Sequence, residues 1–376
     1  MPRPGLRPMR ALPVLEARRV ELEKCVFCPK LCRSACPVSN AEPRETITPW
    51  GKMSIAWMAA HGDVPLDGSH ASPAWACTGC LACRESCDHR NPVADVLLDA
   101  RDALARRGVA PDAAQRVLRR FGRHNDRTRA AVRRLGERTR TDARDALLVG
   151  CGYVRAARRE ASDAVGAAAA LAGSPALVED CCGLPLRLAG DRDAFARHAF
   201  AVARSVQRYA RVIVVDAGCA VALERLYPEA GIRLAPRVQL LVDLAARSLG
   251  ALSPVDRPNE PVRWHDPCQL GRGLGVYDAP RAVLARILGG PPAELDDRRE
   301  QGVCSGAGGL LPSTMPEVAR SIADARVEAH TRAGGGRIVT ACASSLLALR
   351  RSARGTGVAV DDLVTWIGRG LGSMGS

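Results

Sequence analysis

Two short runs of cysteine constrain this chain more than any other feature. The first, "CVFCPKLCRSACP", places Cys25, Cys28, Cys32 and Cys36 in the spacing C-x2-C-x3-C-x3-C-P. The second, "CTGCLACRESCD", places Cys77, Cys80, Cys83 and Cys87 as C-x2-C-x2-C-x3-C. Spacing this short wraps three thiolates round one corner of an iron–sulfur cube, and the fourth cysteine of each run ligates the other cube. The expected sets are Cys25, Cys28, Cys32 and Cys87 for one [4Fe-4S] cluster, and Cys77, Cys80, Cys83 and Cys36 for a second. Zinc is the competing reading, but its four-cysteine sites use C-x2-C pairs set well apart.

Two positions depart from the usual spacing. Three residues separate Cys28 from Cys32 where two are usual, which a slightly longer loop accommodates. Asp88 follows Cys87 where proline is usual, and an anion near a cluster lowers its potential. Neither change removes a ligand. Between the runs, "WGKMSIAWMAA" reads as helix, with Met53, Trp57 and Met58 expected as packing around the clusters.

The chain holds fifteen cysteines. Its basic N-terminus has no continuous apolar segment of the kind that directs secretion. Reduced cytosolic thiols then point to metal ligation rather than disulfides. The expected location is the cytoplasm, with the inner face of the cell membrane as a peripheral site. No apolar run reaches bilayer length, the longest candidate being the Ala-rich stretch at 164–173. The net charge of +14 is carried mainly by arginine. Such a surplus fits steering toward an acidic partner or membrane surface. With aromatics at 3%, there is little to stack single-stranded nucleic acid on, and no helix-turn-helix or zinc-finger pattern accompanies the charge. Nucleic acid is therefore not expected as a partner.

Beyond residue 100 the pattern changes. Residues 101–144 hold no cysteine and are dense in Arg and Ala. Val117, Leu118, Phe121 and Val132 fall at helical spacing, so a helical connector with a solvated arginine face is expected. From 145 onward, short apolar runs alternate with helical segments, and the region reads as an internal repeat. The first copy runs "LLVGC" (Cys151), "CCG" (Cys181, Cys182), "VIVVDAGC" (Cys219). The second runs "VRWHDPC" (Cys268), "CSG" (Cys304), "RIVTAC" (Cys342). Cys181 to Cys219 and Cys304 to Cys342 both span 38 residues. The outer cysteines of each copy follow β-rich runs, which places them beyond the carboxyl edge of a sheet, where α/β folds bind ligands. The polar stretch 253–261 is the expected boundary between copies. "GRGLG" at 271–275 departs from the GxGxxG spacing and reads as a turn, not a nucleotide site.

With eight cysteines followed by this duplicated region, the chain resembles the iron–sulfur subunits that join a two-cluster ferredoxin module to a cysteine-rich CCG domain. These include the D-type subunit of heterodisulfide reductase and the iron–sulfur subunits of glycolate oxidase and anaerobic glycerol-3-phosphate dehydrogenase. The phrases that carry the resemblance are "TPWGKM", "CTGCLAC", "CCGLP", "DAGCA", "HDPCQL" and "CSGAGG", over roughly residues 21–350. The resemblance implies an α+β multidomain chain. An α-helical two-cluster ferredoxin occupies 1–100 and the helical connector 101–144. The duplicated α/β domain follows, its first half at 145–252 and its second, degenerate half at 262–376.

In full form each half of such a domain supplies an early cysteine, a Cys-Cys pair and a final C-x2-C. Carried over, the first half supplies Cys151, Cys181, Cys182 and Cys219, with Ala222 at the remaining position. Those four can hold a third iron–sulfur cluster or stand as buried free thiols. The second half supplies Cys268, Cys304 and Cys342, with Ser305 and Ser345 at the other two positions. Three cysteines can hold a cubane with one open iron, a [3Fe-4S] cluster, or nothing. His265 and Asp266, beside Cys268, are expected to support a ligand rather than to be one.

No flavin or nicotinamide pattern accompanies these sites. The expected function is an oxidoreductase subunit that takes electrons from an FAD-linked dehydrogenase of a hydroxy acid or glycerol phosphate. It passes them singly through two clusters toward the CCG region, a quinone or a membrane-associated acceptor. One alternative is a heterodisulfide reductase-like subunit reducing a disulfide at a CCG-bound cluster. Another, of a different class, is an iron–sulfur sensor that binds nucleic acid.

Overall fold

In a computed structural model, residues 7–28, 30, 32–136, 143–256 and 258–372 are described. The first residues of the N-terminus, connector residues 137–142 and the last four of the second half lie outside them. The chain forms two compact units. One comprises Met1–Arg120, Pro185–Ala194 and Gly306–Ile322; the other comprises Phe121–Leu184, Phe195–Ser305 and Ala323–Ser376.

The first unit is helical. Its central helix, Pro49–His61, starts where Thr48 accepts the N–H of Gly51 at 3.0 Å and ends at Gly62 in the left-handed region. Proline at the first position costs no hydrogen bond there. Met53 is fully buried in a core with Leu15, Leu22, Trp75, Val96 and Leu97, and Trp57 packs against the same core. The helix Val93–Arg106 brings in Arg101, which is fully buried and donates to four backbone carbonyls, those of Ala74, Cys77, Leu188 and Gly309. Two of those carbonyls belong to the later segments, so one guanidinium fastens both of them into the unit.

The second unit contains two parallel sheets. Strands β1 (Asp145–Leu148), β2 (Ala176–Leu177), β3 (Arg211–Val214) and β4 (Arg237–Leu240) lie in the order β2-β1-β3-β4. Strands β5 (Val262–Trp264), β6 (Arg337–Thr340) and β7 (Ala359–Asp362) lie in the order β5-β6-β7. A parallel bridge from Arg263 to Ala293 extends the second sheet on its β5 side. Both halves therefore use one winding, as the repeat in the sequence implies. Runs such as "RVIV" and "RIVT" are buried on successive residues, as strands covered on both faces must be. Residues Gln269–Gly273, within "CQLGRG", form a tight π-helical turn.

Candidate metal centres

In the first unit the eight cysteines surround two cavities. One is lined by Cys25, Cys28, Cys32 and Cys87, together with Trp50, His89 and Asn91. The other is lined by Cys36, Cys77 and Cys80, together with Pro49, Lys52 and Thr78. Cys83 reaches both. The short spacings achieve this through local turns. Gly79 donates its N–H to Cys77 Sγ at 3.4 Å, and Leu81 turns left-handed ahead of the helix Ala82–Glu85. Asn91 Nδ2 donates to Cys25 Sγ at 2.9 Å, and Lys52 Nζ to Cys36 Sγ at 3.6 Å. Burial pushes the Cys25 thiol up to about 12 and that of Cys32 up to about 11. Buried sulfurs grouped this way cannot all ionise by themselves; cationic iron supplies the missing charge, so the donor set suits [4Fe-4S] clusters.

Gly308 and Gly309, at the end of "CSGAGG", lie against the loop of the second cysteine run. A Cβ on Gly309 would sit 2.0 Å from the Cys77 carbonyl oxygen, and one on Gly308 2.3 Å from that of Thr78. Those two glycines are thus required by close backbone approach.

In the second unit the first-half cysteines converge at the carboxyl edge of their sheet. Cys151 follows β1 and Cys219 follows β3, the two strands between which the winding reverses. Their thiols join through the CCG turn: Cys151 pairs with Cys181, Cys181 with Cys182, and Cys182 with Cys219. The turn is held by its backbone. Asn125 Oδ1 accepts from Cys181 N at 2.9 Å, and His198 Nε2 donates to the Cys181 carbonyl at 2.7 Å. Tyr227 donates its hydroxyl to the Cys182 carbonyl at 2.9 Å. Gly183 adopts φ +83, and a Cβ there would meet His198 at 2.9 Å. The hydrogen bond from Cys182 favours a Cys219 thiolate, but burial together with the charges of Asp216, Cys151 and Cys181 outweighs it and pushes the thiol up to about 12.

Three residues of this centre escaped the sequence reading. The helix Asp112–Leu135 carries His124, a ring nitrogen of which lies within 4.8 Å of both the Cys151 and Cys181 sulfurs. Arg155 Nη1 donates to His124 Nδ1 at 2.5 Å, which leaves the proton of the neutral ring on Nε2. That Nε2 is buried and has no hydrogen-bond partner. Asn125 is the second residue. The third, Asp216, caps the turn that carries Cys219 by accepting the N–H groups of Gly218 and Cys219. Its other oxygen accepts from Ala343 N at 3.3 Å, next to Cys342. Most arginines of the connector helix are exposed, and two of them form ion pairs at that surface, Arg129 with Asp180 and Arg133 with Glu179.

The second half is different. Ser305 and Ser345, at the two missing ligand positions, hydrogen-bond to each other at 2.8 Å in a buried pair. Ser345 also contacts Cys342, whose thiol burial pushes up to about 12. Cys304 is buried and Cys268 half-buried. Asp266 is engaged by Trp264, by Arg281 and by the N–H of Arg299. Burial works to raise its carboxyl, and Arg281 holds it below the ordinary range. Arg326 donates to Nδ1 of His265. Both side chains have structural partners, in keeping with a supporting role.

Comparison with known proteins agrees with this architecture. The 4Fe-4S dicluster domain matches residues 21–91, and the cysteine-rich CCG domain matches 146–224 and 262–350. The chain is 28% identical to the B-type subunit of the fumarate reductase (CoM/CoB) of Methanothermobacter marburgensis, over 86% of its own length and 66% of that protein. It is 26% identical to the D-type subunit of the dihydromethanophenazine:CoB–CoM heterodisulfide reductase of Methanosarcina barkeri, over 94% of itself and 95% of that protein. It is 34% identical to an EtfAB:quinone oxidoreductase of Syntrophomonas wolfei, over 35% of itself and 18% of that protein. The chain thus spans just under two thirds of the first relative and a small part of the third. No helix among the described residues is long and apolar enough to cross a membrane. The chain carries a 4Fe-4S dicluster domain followed by a duplicated cysteine-rich CCG domain, and is homologous to iron–sulfur oxidoreductase subunits, among them the D-type subunit of heterodisulfide reductase.

Proposed function

We propose that this chain is the electron-transfer subunit of a flavin-linked dehydrogenase, with Cys25, Cys28, Cys32 and Cys87 holding one [4Fe-4S] cluster and Cys36, Cys77, Cys80 and Cys83 the other. The observation that carries the reading is the gathering of all eight cysteines round two cavities in one compact unit. Clusters held there convert a two-electron donor into single-electron steps. The chain's own part is to fix their spacing, exclude water and supply hydrogen bonds to sulfur, as Asn91 does at Cys25. The relative named as an EtfAB:quinone oxidoreductase supports a quinone as the class of acceptor.

The four linked thiols of the first half support a third cluster there, with Cys151, Cys181, Cys182 and Cys219 as ligands and His124, whose buried Nε2 has no partner, beside them. The same thiols favour a second reading, reduction of a disulfide at that centre. Iron and sulfide quantification with EPR on anaerobically purified protein tests the assignment. About eight irons per chain means the two cubanes alone, and about twelve places a third cluster in one half. Turnover of a disulfide by the isolated chain with an artificial electron donor establishes the second reading. Reducible clusters without such turnover, together with co-purification of a flavoprotein, establish the first.

A further inference from the structure

Lys52 is 2% exposed, and its ammonium donates to the sulfur of Cys36, its one hydrogen-bond partner among the described residues. No carboxylate pairs with it among the described residues. A buried cation without an anion is strongly disfavoured, so this side chain requires negative charge in the adjoining cavity. Four thiolates and a [4Fe-4S] core carry a net negative charge and meet that requirement. The cavity gains further positive potential from the N-terminus of the helix Pro49–His61, since Pro49 lines it. The fully buried guanidinium of Arg101 bonds the Cys77 carbonyl, and both it and Lys52 favour the Cys77 thiolate.

The first cavity has no such device among the described residues. Its hydrogen bond to Cys25 comes from the neutral amide of Asn91. Its cations are Lys24, which is exposed, and Lys30, which lies over the Trp50 ring and near Glu45. Solvent screens both, while a dry ammonium at 3.6 Å acts at nearly full strength.

We propose that Lys52 is the counter-charge of the second cluster and makes it the higher-potential member of the pair, which orders electron flow from the first cluster to the second. The proposal rests on the two-cluster reading above. In the ordered step the first cluster loses one electron and the second gains it; no bond forms or breaks, and no proton moves. A cation favours the reduced, more negative state, so its removal lowers the potential.

The test is a mediated dithionite titration of the full chain, purified anaerobically and followed by EPR. In the wild type the two clusters of the first unit show separate midpoints. Lys52→Met, which keeps the apolar stem, lowers the higher midpoint and leaves the lower in place, while Lys52→Arg preserves both. Coincident midpoints in the wild type, or a Lys52→Met protein with eight irons and an unmoved higher midpoint, overturn the proposal. If Lys52→Met loses the irons of one cluster only, recovery of them in Lys52→Arg supports the counter-charge role, and failure of that recovery overturns it. Fewer than eight irons in the wild type overturns the two-cluster reading itself, a result distinct from eight irons with the wrong potentials.

Discussion

Ser305 and Ser345 stand where sulfur ligands occur in a complete CCG half, and their hydroxyls meet in a buried hydrogen bond. Each satisfies the other, so neither exposes a polar cost that selection would act against. Replacing both by cysteine should raise the iron content by up to about four atoms per chain, while either single replacement leaves it unchanged. Iron analysis after anaerobic reconstitution decides the matter, and equal iron in the double variant and the wild type would sink this account of the second half. His124 presents the opposite case. Its Nε2–H has no partner, and its ring lies beside two thiols. His124→Leu should leave the cubane signals intact and lower the midpoint of the first-half centre, whereas His124→Gln, which keeps an N–H donor, should resemble the wild type. The two serines were legible in the sequence because they interrupt a motif. His124 was not, because a lone histidine on an arginine-rich helix carries no spacing relation to the cysteines it meets.

Among the elements, the turns after the CCG and CSG motifs do more than connect. Gly309 approaches the second cysteine loop closely, at φ +64. Gly309→Ala should cost on the order of 3 kcal/mol through overlap with the Cys77 carbonyl and strain at positive φ. Iron content should fall selectively in the cluster held by Cys77, Cys80 and Cys83; an unchanged iron count and melting temperature would contradict this. The helix Leu363–Gly370 offers a second test. Asp362 caps it through the Val364 N–H and accepts the Tyr153 hydroxyl at 2.7 Å. Burial lifts its carboxyl to about 7 from an ordinary 3.8, with both hydrogen bonds opposing the rise. A carboxyl raised on folding stabilises the protein fully below its unfolded value and loses that contribution as pH rises through the folded one. Melting temperatures of the wild type should therefore decline from about pH 4 to about pH 7, and Asp362→Asn should flatten that slope. Strands β1, β3, β5 and β6 followed from apolar runs ahead of cysteines. The glycine contacts and the Asp362 cap depend on residues far away along the chain, and "CSGAGG" gave no sign of which backbone its glycines approach.

On the scale of the whole molecule, two units of different construction share one chain. The first surrounds its two cavities with thiols and takes in segments 185–194 and 306–322. The second has sheets whose central strands are packed with residues such as Leu147, Ile213 and Val339, all fully buried. Removal of iron by a chelator should therefore lower the stability of the first unit much more than that of the second. Calorimetry should resolve one transition that moves to lower temperature and one that stays; a single transition unaffected by complete loss of iron would contradict it.

The sequence by itself determined the chemistry that depends on neighbours along the chain. Spacings of two and three residues bring thiols to one corner of a cluster, and a repeat in which a 38-residue cysteine spacing recurs carries the same winding twice. The tertiary structure alone decided which charges and donors surround those sulfurs. Lys52 beside Cys36, His124 beside Cys151 and Cys181, and Arg101 across four carbonyls are contacts closed by folding. Spacing between distant residues does not encode such contacts. Burial does, because a polar group removed from water needs a partner, and here each partner comes from elsewhere in the fold.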